Sequence, residues 1–292
     1  MKRLLALFVV LAIAGGSLYL AQRRKSQDAV SANAVLDAAA DWQRDLTRAP
    51  MQLTRLSDEE ETRIGDKLAA RYASADPTRT TAAQELERYV GDVGERVAAH
   101  AKRKLNYRFH LIADPNLINA FALPGGHVFI GMGLLGQMTS EDELAFVLGH
   151  ELEHIDHYHA AERVQIEARL RNLNLDAVAA IAQIPMSLWQ AGYSKEQEFE
   201  ADREGLRLSV VAGYSPQGAV KMLARLDDLH REYVIHARTP VGELSQVAIE
   251  GLAGYFRSHP LPSERIEQAN EVIAQDHLNV DKPLKPFKIP DA

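Results

Sequence analysis

Cysteine is missing altogether from the 292 residues. That excludes a disulfide framework, a cysteine zinc site, a thiol nucleophile and a lipid-modified N-terminal cysteine. A basic excess is missing too. The 33 Lys and Arg are outnumbered by 40 Asp and Glu, for a net charge of −7. With no surplus to neutralise phosphates, nucleic acid is excluded as a main partner. Internal repeats and low-complexity blocks are absent. What remains is ordinary globular composition, 46% hydrophobic and 25% charged, enough to bury a core without staples.

Long apolar runs are scarce as well, with one exception at the start. Leu4 to Ala21 lies between Met1-Lys2-Arg3 and Gln22-Arg23-Arg24-Lys25. Its 18 residues are near the lower limit for crossing a bilayer. The run is longer than most signal-peptide cores, and "AIAGG" is a weak cleavage signal. We therefore expect residues 1–25 to be an uncleaved signal-anchor rather than a cleaved signal peptide. It would place the chain in a periplasm or other exported compartment, attached to the inner membrane. Basic residues flank both ends, so the positive-inside rule does not fix orientation.

Residues 26–54 read as a linker or short helix, 55–276 as one domain and 277–292 as an extended tail. "LSDEEETRIGDKLAARYA" starts a helix, with Ser57 and Glu60 as a capping box. Ile64, Leu68 and Tyr72 form its stripe. A second amphipathic helix carries Leu86, Tyr89, Val90, Val93 and Val97. "NYRFHLIADP" alternates as a half-buried strand, and Pro124-Gly125-Gly126 turns between two apolar pieces in a hairpin-like unit. "SEDELAFVLGHELEHIDHYH" reads as a helix capped by Ser140 and Glu143. Further helices follow over "SKEQEFEADREGLRLSVVAG", "PQGAVKMLARLDDLHREY" and "HPLPSERIEQANEVIAQ". The fold class is α+β, mainly helical with a small β-sheet.

His150 and His154 are four apart on a helix, so both rings project from one face. Two neutral imidazoles there can share one Zn²⁺. Glu151 lies about 100° round the helix and can reach a water beside the metal without coordinating. This is the H-E-x-x-H pattern of zinc peptidases. A catalytic zinc needs a third protein ligand and an open position. The metzincin extension fails, because His157 and Ala160 stand where its glycine and third histidine would be. His157 reads as a flanking residue and His159 as a packing or hydrogen-bonding one. Downstream, Glu198 and Asp202 in "KEQEFEAD" share a face. Glu198 can bind the metal while Asp202 accepts a hydrogen bond from a ligating histidine. Glu196 and Glu200 read as a solvated acidic face.

Four segments in order then carry a resemblance: "NAFALPGGHVFIGMGLL", "ELAFVLGHELEH", "YSKEQEFEADREGLRL" with "AGYSPQGAVKMLARL", and "SHPLPSERI". Over roughly residues 55–276 the chain resembles the gluzincin-type zinc metalloendopeptidases. That family includes CAAX prenyl proteases, HtpX-like heat-shock peptidases and periplasmic outer-membrane quality-control peptidases. The resemblance implies His150, His154 and Glu198 as ligands of one zinc per subunit and Glu151 as catalytic base. It implies that His259 approaches the zinc, stabilising the oxyanion or filling the open position, and that Arg265 supports the site. It also implies an edge strand lining the cleft, Gly126, His127, Val128, Phe129 and Ile130, which pairs with extended substrate; His127 would be a surface residue there. The chain departs from members with several membrane helices, and from those with helical repeats after the domain.

The function expected from these features is zinc-dependent cleavage of unfolded or misassembled envelope proteins. A chaperone-like binding protein of the same fold, with little proteolysis, is the alternative. A metal-storage protein would need further ligands.

Overall fold

The structure is a computed structural model that describes residues 56–73, 80–170, 193–236, 255, 259 and 262–287. All belong to one compact unit, Pro50–Ala292. The expected anchor, residues 1–25, and the linker after it lie outside the described residues. Among the described residues no helix is long and apolar enough to cross a membrane.

Helix α1 (Asp58–Ala73) begins as its sequence dictates. Ser57 N donates to Glu60 Oε2 at 2.8 Å and Glu60 N donates to Ser57 Oγ at 3.3 Å. Ile64 and Leu68 are buried, and Tyr72 packs edge-on to Phe121 and Phe129. Helix α2 (Thr81–Ala98) buries Val90, Val93 and Val97 on one face.

Three strands follow: β1 (Arg108–Ile112), β2 (Ala120–Leu123) and β3 (His127–Gly131). The β2–β3 hairpin is antiparallel, and Gly125 and Gly126 turn it at φ 77° and 105°, where side chains are strained. β1 pairs with β3 in parallel, giving the order β1-β3-β2. This corrects the expected edge strand. Residues 127–131 are hydrogen-bonded on both sides and fully buried, so they offer no free edge to a substrate. The edge toward the site is β2. His127 is likewise not a surface residue. It is 3% exposed, with Nε2 2.9 Å from Asp66 Oδ1 and its ring stacked on His110. The strand period of two divides the sheet's contacts. Ala120, Ala122, Val128 and Ile130 face the main core, while Phe121, Leu123 and Phe129 face α1.

A short helix α3 (Met132–Leu135) leads to α4 (Glu141–Asp156), which carries the histidine pair and is buried along its whole length. Ser140 caps it, accepting from Glu143 N at 3.4 Å. Its acidic first turn is tied to several elements. Glu141 accepts from Arg96 Nη2 at 2.8 Å, Tyr89 Oη at 2.9 Å and Tyr214 Oη at 3.1 Å. Asp142 accepts the backbone N–H of Ser215 and of Lys285, each at 2.6 Å. The described part of the tail is thus fastened to the start of α4.

The helix expected to run through His159 is instead broken. Tyr158 takes φ 62°, its ring lies 3.9 Å from the Arg103 guanidinium, and α5 (His159–Leu170) starts afresh. Helices α6 (Lys195–Val211), α7 (Gln217–His236) and α8 (Pro262–Gln275) complete the layer around α4. Ser194 and Gln197 form a capping box at the start of α6.

Helices α4 and α6 touch backbone to backbone. A Cβ on Gly149 would lie 2.8 Å from Gly205 O, and one on Gly205 would lie 2.6 Å from His150 N. Neither side has a flexible atom that can yield. Gly205→Ala is therefore expected to push the helices apart and cost about 1–3 kcal/mol of stability. Thermal unfolding checks this, and an unchanged midpoint would show that the crossing tolerates a methyl group.

Candidate metal centre

The close crossing brings two i, i+4 pairs together: His150 and His154 from α4, Glu198 and Asp202 from α6. His150 Nε2 lies 3.5 Å from Glu198 Oε2, His154 Nε2 lies 3.7 Å from Glu198 Oε1, and the two Nε2 atoms are 3.2 Å apart. All three side chains are buried, and one donor atom from each falls within 4.8 Å of the others. Two imidazoles and a carboxylate around a common point fit the N/O donor set of a catalytic zinc with one position left open.

A second ring of contacts orients these donors. His150 Nδ1 is 2.9 Å from Asp202 Oδ1. With Nε2 facing the centre, Nδ1 carries the proton and donates it to that carboxylate. Asp202 is gripped in turn by Arg265, Nε to Oδ2 and Nη2 to Oδ1, both at 2.7 Å. The third Arg265 nitrogen, Nη1, donates to Tyr255 Oη at 2.7 Å. Arg265 is 2% exposed, a buried clamp. His154 is held differently. Its Nδ1 is 3.0 Å from His159 Nδ1, and Tyr193 stacks on its ring at 3.9 Å.

His259 comes from the segment before α8 and reaches the centre. Its Nδ1 lies 2.6 Å from Glu198 Oε2. Glu151 is 2% exposed and shares a small cavity with Ala120 of β2, Phe146, Val147, His259 and Arg265. Of the residues assigned to the substrate strand, none lines this cavity; Ala120 on the neighbouring strand does.

Charge in this pocket is sorted by neighbours. Burial raises the Glu198 carboxyl, but His259, His150 and His154 outweigh it and hold the group well below the usual range. Burial opposes the charge of Asp202 too, and Arg265 with His150 keeps its carboxyl low. Burial lowers His150, yet hydrogen bonds to Asp202 and Glu198 hold it up at about 10. Carboxylates that hold a proton on His150 so firmly also attract a metal cation. Glu151 has no such clamp. Burial pushes it up to about 7, with His150 opposing and Glu198 adding to the rise.

Sequence reasoning missed Glu200, Tyr193 and the true contact of His159. Glu200 is no solvated bystander. Its Oε1 is 3.0 Å from His157 Nδ1 and its Oε2 is 3.3 Å from His159 Nε2. No periodic signal reveals this, because it depends on the break at Tyr158.

A beta-barrel assembly-enhancing protease of Yersinia pestis is 29% identical over 202 residues, 63% of this chain and 38% of that protein. The mitochondrial metalloendopeptidase OMA1 of Schizosaccharomyces pombe is 30% identical over 199 residues, 64% of this chain and 53% of its own. The mitochondrial metalloendopeptidase OMA1 of Bos taurus is 36% identical over 126 residues, 37% of this chain and 24% of its own. The chain spans about half the length, or less, of the curated relatives it matches. Residues 82–273, from the start of α2 to near the end of α8, match peptidase family M48. With the centre, its orienting carboxylate and the sheet beside it all inside that match, the chain belongs to peptidase family M48, a family of peptide hydrolases.

Proposed function

We propose that the chain is a zinc-dependent metalloendopeptidase that cuts unfolded or misassembled envelope proteins. The observation that carries this reading is the convergence of His150, His154 and Glu198 beside a buried Glu151 of raised basicity. When bound, zinc supplies a Lewis acid that polarises the scissile carbonyl and acidifies the attacking water. The protein's own groups do the rest. Glu151 accepts a proton from that water and returns it to the leaving amine nitrogen. His259 donates from Nδ1 to Glu198; in its protonated form, which burial opposes and Glu198 favours, Nε2 also carries a hydrogen that can be donated to the carbonyl oxygen as negative charge develops there. Asp202 and Arg265 keep His150 in the tautomer that presents Nε2.

The substrate backbone would lie along β2 rather than along residues 126–130. Among the described residues β2 has no strand on its outer side, and Ala120 reaches the cavity that holds Glu151. Main-chain pairing there fixes a carbonyl near the centre while demanding little of the substrate's side chains. That tolerance suits unfolded chains. Envelope proteins are inferred as the substrates from two sources: the apolar run at residues 4–21, and a relative named for β-barrel assembly. The first would anchor the chain in an exported compartment.

Two substitutions test the assignments. Glu151→Gln keeps shape and zinc but cannot take a proton, so casein cleavage should fall by roughly 100-fold or more. Zinc content read on the same sample should stay at that of the unaltered chain. Undiminished cleavage sinks the mechanism. An unaltered chain that suppresses casein aggregation yet cuts nothing favours the chaperone-like reading. Asp202→Asn should loosen His150 and weaken zinc binding by about 10- to 100-fold. Competition against a chelator measures that, and an unchanged affinity removes Asp202 from its orienting role.

A further inference from the structure

His157, His159 and Glu200 form a second converging set on the other side of His154. His157 Nδ1 is 3.0 Å from Glu200 Oε1, and His159 Nε2 is 3.3 Å from Glu200 Oε2. One donor atom from each lies within 4.8 Å of the others. On a continuous helix, residues two apart point roughly 200° from one another. Here they converge because Tyr158, between them, sits at φ 62°, a conformation that L residues with a ring rarely adopt. The backbone is bent at the one residue where bending brings both imidazoles to Glu200.

A second observation points to a missing cation. Glu153 Oε2 is buried without a hydrogen-bond partner, 3.3 Å from His157 Nε2. A carboxylate behind a histidine is the usual support of a metal ligand. The surroundings are acidic: Glu153, Asp156, Glu200 and Glu204 gather here. The cations among them are Lys102, 3.6 Å from Glu204 Oε2 and 3.5 Å from His157 Nε2, and Arg207, whose Nη1 is 2.7 Å from the other Glu204 oxygen, Oε1. His157 is 19% and Glu200 39% exposed, so an ion can enter from solvent and keep water as its remaining ligand.

We propose that His157, His159 and Glu200 form a second divalent-metal site, and that filling it works against the catalytic centre. The donor set, two imidazoles and a carboxylate, suits zinc and its transition-metal neighbours rather than calcium or magnesium. The antagonism follows from proton positions, and it rests on His154 being a ligand of the proposed catalytic zinc. With Nε2 committed to that centre, His154 carries its proton on Nδ1 and donates to His159 Nδ1, 3.0 Å away. His159 must then hold its own proton on Nε2, facing Glu200. An ion at His159 Nε2 displaces that proton. If the proton moves to Nδ1, two N–H groups confront each other and His154 loses its acceptor.

The test uses the full chain loaded with one zinc and equilibrated against rising free zinc. Zinc per chain, by elemental analysis, and casein cleavage are read in parallel. The unaltered chain should take up a second ion, and cleavage should fall as it does. His157→Ala, at a partly exposed position outside the catalytic set, should stop at one ion and keep its activity at the same free zinc. An unaltered chain that stops at one ion overturns the site. Uptake of two ions by His157→Ala places the second ion elsewhere. Uptake of two ions with undiminished cleavage overturns the coupling. The ion count does not depend on cleavage, so failure of the peptidase reading would leave the count standing as a separate result.

Discussion

Two glycines facing each other across α4 and α6 set everything else in the site. With Gly149 against Gly205, the helices approach until main chain meets main chain. Metal-ligand geometry tolerates errors of a few tenths of an ångström. A side chain at either glycine would separate the axes by more than that. The crossing lies beside His150 and one turn beyond Asp202. It therefore fixes His150 between the two acids of α6 at the short distances a ligand and its orienting carboxylate require. Glu198, one turn earlier on α6, then faces both imidazoles without further adjustment.

Burying so much charge is costly unless each group meets its counterpart. The pocket meets that demand unevenly, and the unevenness assigns the roles. Asp202 is held by two Arg265 nitrogens, and Glu198 by His259 and the ligand imidazoles; both stay charged. Such groups suit fixed work, holding a metal or a tautomer. Glu151 is just as deep but has no guanidinium clamp, and its carboxyl rises to about 7. A group balanced there can both take and give a proton near neutral pH. Three buried carboxylates around one centre thus differ through their neighbours rather than their type.

Much of this was legible in the sequence because it depends on spacing within single helices. The i, i+4 relation of His150 to His154 and of Glu198 to Asp202 needs only the helical period. The caps at Ser57 and Ser140 and the alternating β1 are equally local. What failed was nonlocal. That residues 127–131 are central depends on a parallel partner some 19 positions earlier, and nothing in "HVFI" announces it. A continuous apolar run fits both a buried central strand and a short edge strand. Glu200, and the partners that His159 finds, were missed for a different reason. A helical wheel drawn through Tyr158 puts them on separate faces, and the left-handed residue breaks the wheel. Arg265 was unreadable as a buried clamp because a single arginine carries no period at all.

The two histidines of the centre end up in different relations to solvent, and this asymmetry is the deeper consequence of the break at Tyr158. Behind His150 stand Asp202 and Arg265, each 2% exposed. Behind His154 stands His159 and then Glu200, whose side chain is 39% exposed. One ring is thus held by buried charge. The other is held by an imidazole that meets a partly exposed carboxylate. Perturbation at the surface near α5 can reach the centre through His154 but has no matching path through His150. Such a path makes the centre responsive on one side and leaves its geometry fixed on the other.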